Sequence, residues 1–65
     1  MATFIDVTDS LTGEPVAVNI DRIETMRTRN TGDGPTTIID FGKNFVQCRE
    51  SMGHIASLML RAMHS

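Results

Sequence analysis

The sequence predicts an α+β domain: a small antiparallel β-meander of four to five strands followed by one C-terminal helix. Short segments before residue 50 alternate apolar and polar residues with the period of two that a half-buried strand requires. Clusters of Gly, Pro, Asn, Asp and Ser, which favour turns through backbone freedom or side-chain hydrogen bonds, separate those segments. After Ser51 the apolar residues change to the three-and-four spacing of a helix. Linkers this short join antiparallel neighbours, because parallel pairing needs a crossover of about a dozen residues or more.

The first strand is expected over Thr3 to Thr8, with Ile5 and Val7 on one side and Phe4 and Asp6 on the other. Asp9 to Pro15 then forms a hairpin connection, and the second strand, Pro15 to Ile20, places Val16, Val18 and Ile20 on one face and Ala17 and Asn19 on the other. Asp21 and Arg22 interrupt this pattern, so a tight turn is expected to lead into a third strand. There Glu24, Met26 and Thr28 share one face while Thr25, Arg27 and Arg29 share the other, and Ile23 begins the strand or sits at a bulge. Asn30 to Pro35 collects two Gly, an Asn, an Asp and a Pro, and reads as an exposed, mobile loop. Thr36 to Phe41, β-branched through its first four positions, turns through Gly42-Lys43-Asn44 into Phe45 to Arg49 as a second hairpin. Phe4, Phe41 and Phe45 are expected to pack inside.

Ser51 is the expected N-cap of the helix, and no Pro or β-branched cluster follows it. At ~100° per residue, Met52, Ile55, Ala56, Leu58, Met59, Leu60, Ala62 and Met63 sweep an arc of roughly 200°, whereas a helix lying on one sheet needs a stripe of about 100° or somewhat more. The excess predicts an interface built from Met52, Ile55, Leu58, Met59, Leu60 and Met63, in which the unbranched methionines supply adaptable surface. The alternative is a helix buried deeply in its own fold; self-association accommodates both.

Residues 1–65 are expected to form a single domain. A chain of 65 residues buries only about 60% of the surface that its unfolded form exposes, which makes tight packing or self-association important. Its one Cys, Cys48, cannot form an internal disulfide, and no His/Cys cluster has metal-ligand spacing, so neither a metal nor a cofactor is expected. His54 and His64, ten positions apart on the helix, stand about 15 Å from one another at ~1.5 Å per residue. Cys48 lacks a Cys-His motif, and no carboxylate pair, phosphate loop or calcium loop is present, so the chain is not expected to be an enzyme. The N-terminus has no basic, apolar leader pattern and no stretch approaches the roughly 18 apolar residues of a membrane span, which predicts a cytoplasmic protein without a membrane partner.

Arg27 and Arg29, two apart on a strand, form a polar contact face with Arg22 and Lys43 expected nearby, the smallest arrangement that could grip phosphate or an acidic partner. The ordinary alternative is a solvated sheet face. With a net charge of −2 and only three aromatic residues, the chain makes nucleic acid a lesser expectation than a protein partner.

The succession Val7-Thr8, Gly13-Glu14-Pro15-Val16-Ala17-Val18-Asn19, Ile23-Glu24-Thr25-Met26, Thr37-Ile38-Ile39-Asp40-Phe41-Gly42-Lys43-Asn44-Phe45-Val46, and then Glu50-Ser51 and Ile55 resembles the FlbD/SwrD family of small flagellar-operon proteins. The resemblance runs from Ile5 to about Leu60 through turn and core residues and includes no catalytic signature. It implies a β-meander plus helix acting as a non-enzymatic accessory in motility, and it carries over no binding residues. The Asn30 to Pro35 segment is longer than in that family, and the helix is apolar and Met-rich where the family is usually charged. The pattern ending in Phe45-Val46, followed by Glu50-Ser51 and a helix, is also similar to LytTR-type DNA-binding domains, which are longer and more basic. The functional expectation is a small protein-binding accessory or regulatory protein acting as a homodimer, its protein partner unidentified. The alternatives are a phage-encoded inhibitor of a host protein complex and a LytTR-like nucleic-acid-binding regulator.

Overall fold

Strands β1 (Phe4–Thr8) and β2 (Pro15–Asn19) pair antiparallel with Ile5 opposite Val18 and Val7 opposite Val16, so the apolar alternation in the sequence becomes one continuous buried face. The computed structural model describes residues 3–64, in which five strands form two antiparallel sheets and a single helix follows. Asp9 shapes the β1–β2 turn by accepting the Leu11 and Thr12 amides on Oδ1 at 2.7 and 3.2 Å. Gly13 supplies the positive φ, +76°, that returns the chain.

The interruption at Asp21-Arg22 is a single 3₁₀ turn, Ile20–Arg22, capped by Asn19 Oδ1, which accepts the Asp21 amide at 3.0 Å. Side chains three apart eclipse in this helix, so Ile20 and Ile23 both reach the core. Ile23 therefore precedes the third strand, β3 (Thr25–Thr31), as the residue that ends the turn. The spacing of Ile20, Ile23 and Met26, awkward for a strand, is the mark of this turn.

The segment from Asn30 to Pro35 corrects a sequence expectation. It is no open loop: β3 runs to Thr31, β4 (Gly34–Asp40) starts at Gly34, and Asn30 pairs with Pro35, which leaves only Gly32 and Asp33 in the turn. Thr31 Oγ1 closes the turn, donating to the Gly34 carbonyl at 2.8 Å and accepting the Asp33 amide at 3.3 Å. Pro35 is tolerated because β5 (Phe45–Cys48) pairs only with Thr37 to Asp40, so β4 has a neighbour on one side alone at Pro35.

The two-stranded sheet and the three-stranded sheet, ordered β3-β4-β5, meet at a single antiparallel bridge between Asp9 and Cys48. Its two backbone bonds run from the Arg49 amide to the Thr8 carbonyl and from the Ser10 amide to the Gln47 carbonyl, both 2.9 Å. The helix α1 (Met52–His64) packs against β1 and β3 and so spans both sheets. Ile5, Val7, Val18, Ile39, Cys48 and Ile55 make the core between them.

The phenylalanines supply the second correction. Phe4 and Phe45 are 56% and 65% exposed, and only Phe41 packs against the core. Strand period explains this: Phe4 stands opposite in sense to buried Ile5, and Phe45 opposite to Val46, which packs on the core.

Candidate interaction surfaces

Ser51 caps α1 as expected: its Oγ accepts the His54 amide at 3.1 Å, and its carbonyl accepts the Ile55 amide at 3.0 Å. Arg61 and His64 occupy the last turn, where positive charge complements the helix dipole. Ile55, Leu58, Met59 and Ala62, spaced as one helical stripe, face the sheets.

Ile55 is consequently a correction among the six expected interface residues. It is 0% exposed and belongs to the core, so it cannot contribute to an intermolecular contact, while Leu58 and Met59 are half-buried against that core. Met52, Leu60 and Met63 remain open, at 37%, 57% and 66% exposure. On a wheel of ~100° per residue these three and Ala56 fall within about 80°, beside the buried stripe. The wide apolar arc thus divides into a core-facing part and a solvent-facing flank. Met52 lies against β3, where its Sδ accepts the Thr28 hydroxyl at 3.2 Å.

Arg27 and Arg29 are exposed, as their alternation requires, and lie opposite Ile38 and Thr36 of β4. By strand period they share the outer face of the three-stranded sheet with Phe45 and Gln47; Ile38, between Arg27 and Gln47, is buried on that same side. The aromatic member of this face escapes a reading that treats every Phe as core, although the alternation Phe45, Val46, Gln47, Cys48 contains the signal. Arg22 and Lys43 do not join the face. They line a separate shallow depression with Phe4 and Phe41.

A further depression, of about 480 Å³, lies between Leu11 in the β1–β2 turn and the β3–β4 hairpin tip, with Gln47 and Arg49 also lining it. Gln47 Nε2 donates to Thr36 Oγ1 at 3.0 Å there, which ties β5 to β4 beyond the ladder.

Cys48 is buried, and burial together with the nearby Glu50 charge pushes its thiol up, away from the reactive thiolate form. His54 and His64 are solvent-exposed. Among the described residues no group of three or more His, Cys, Asp or Glu side chains is placed to hold a metal ion. No described helix is long and apolar enough to cross a membrane.

Comparison of the chain with protein families, characterised proteins and solved structures finds no match.

Proposed function

We propose that the protein is a small, non-enzymatic binding module that acts as a homodimer through the exposed flank of α1 and engages a protein partner. The observation that carries this reading is the solvent-facing set Met52, Leu60 and Met63 on one side of a helix whose other side is already committed to the core. Fully burying a Leu or Met side chain is worth about 1.5–3 kcal/mol. In a two-fold dimer each flank meets its own copy, so every side chain counts twice against the cost of association. The resemblance to FlbD/SwrD proteins supports a non-enzymatic accessory role, and the buried free thiol of Cys48 suits a reducing compartment such as the cytoplasm. Nucleic acid remains the lesser reading because the net charge is −2 and the arginine-bearing face presents a single Phe.

Methyl NMR of the methionines tests the assignment of the flank. Raising the protein concentration is expected to shift the Met52 and Met63 methyl signals while leaving Met26, which packs on the core, in place. Signals from Met52 and Met63 that do not move with concentration count against self-association through α1.

A further inference from the structure

The outer edge of β3 is open. β3 pairs with β4 on one side and, among the described residues, with no strand on the other, and five of its seven residues are exposed. An edge strand directs alternate N–H and C=O groups outward, where an extended chain can pair with them. The two sides of this edge differ chemically. On the core side lies Met52, at the start of α1, whose Sδ accepts the Thr28 hydroxyl. On the outer side stand Arg27 and Arg29, which form no ion pair among the described residues.

We propose that this edge binds an extended peptide whose residues alternate between apolar and acidic, added as a sixth strand beside β3. The inference rests on the reading of the chain as a protein-binding module and names the chemistry of its partner. Side chains of an added strand alternate between the two sides of the sheet. One set meets Met52 at the start of α1; the other lies alongside Arg27 and Arg29, where carboxylates gain charge-assisted, bidentate hydrogen bonds. A second copy of the chain is a poor occupant of the same edge. Antiparallel pairing of two β3 strands brings arginines of one copy toward arginines of the other, and like charges across strands destabilise the pair. The edge is thereby guarded against self-pairing and open to an acidic strand.

The test is fluorescence anisotropy at low salt with a labelled eight-residue peptide of alternating Val and Glu. Saturable binding is expected, as is a loss of about tenfold or more in affinity in the Arg27→Glu/Arg29→Glu variant. Because the Arg27 stem can shield Ile38, Arg29→Glu alone serves as a milder variant, and circular dichroism checks that each is folded. The same peptide with N-methyl groups on alternate amides, made in both registers, is expected to bind more weakly in one register, because the strand-pairing N–H groups are gone. Equal binding of both N-methylated peptides overturns strand addition, and so does the absence of saturable binding by the parent peptide. Tighter binding of a labelled oligothymidylate than of the peptide overturns the choice of an acidic polypeptide. Leu60→Glu/Met63→Glu is expected to retain peptide binding, which separates failure of the dimer from failure of this site.

Discussion

Glu50 holds Thr8 by both ends of its carboxylate: Oε1 accepts the Thr8 backbone amide and Oε2 accepts the Thr8 hydroxyl, each at 2.8 Å, across 42 positions of sequence. The Glu50 carbonyl meanwhile accepts the hydroxyl of buried Thr37 at 2.7 Å. One residue at the entry to α1 thus ties β1 to β4, where among the described residues the two sheets are joined by the Asp9–Cys48 bridge alone. Glu50→Ala removes an acceptor from two donors at once and is expected to cost about 1–3 kcal/mol of stability. Urea unfolding checks this, and an unchanged midpoint would mean that the junction is held by packing alone.

The same contact makes stability depend on pH. Burial by itself would raise the Glu50 carboxyl, but hydrogen bonds from Thr8 and the nearby His54 outweigh it and hold the group below its ordinary value. A carboxyl with a depressed folded value contributes stability that is fully present above its unfolded value and is lost as pH falls through the folded one. Thermal melts of the wild type are therefore expected to weaken on acidification below the ordinary glutamate range. Glu50→Gln should flatten that part of the profile, and an identical acid limb in both proteins would assign it to other carboxylates.

Ile55 and Leu60 should separate core from surface. Ile55→Ala, at a fully buried site, is expected to lose about 2–5 kcal/mol, a large share of what a domain of this size possesses. Leu60→Ala at an exposed position should change monomer stability by about 0.5 kcal/mol or less. Chemical denaturation of dilute samples reads both, and comparable losses would mean that Leu60 is packed.

Gly42 is needed for its backbone conformation. It takes φ +97° in the β4–β5 turn, so an added Cβ is strained there, while the Glu24 carboxylate beside it ends an exposed side chain that can swing aside. Gly42→Ala is expected to cost about 1–2 kcal/mol or more. Gly32→Ala, in a turn with open space around it, should cost less, and the difference between the two melting temperatures is the check.

Much of this architecture is legible in the residues themselves. The alternation of Ile5, Val7, Val16 and Val18 marks the first hairpin, and Ser51 marks the helix start, because strand pleat and N-cap chemistry are local. The β3–β4 hairpin is less legible, since Asn30 to Pro35 has the same composition whether two or six residues make the turn; cross-strand pairing extends the ladder to Thr31 and Gly34. The candidate interface is only half-visible for a related reason. A helical wheel reports how wide the apolar arc is, but the placement of β1 and β3 decides that Ile55 points inward and Met63 outward. Arg27 and Arg29 are exposed as their period suggests, while Phe45 joins their face because alternation outweighs the hydrophobicity of a single residue.

Dimerisation through the flank of α1, as proposed, makes molar mass depend on concentration and on Leu60 and Met63. The most direct test is molar mass by light scattering after size exclusion, over a range of loading concentrations, for the wild type and for Leu60→Glu/Met63→Glu. The wild-type mass is expected to rise toward twice that of one chain and the variant to stay at the mass of one chain throughout. A wild type that remains monomeric at every concentration, or a variant whose mass follows the wild type, would contradict it.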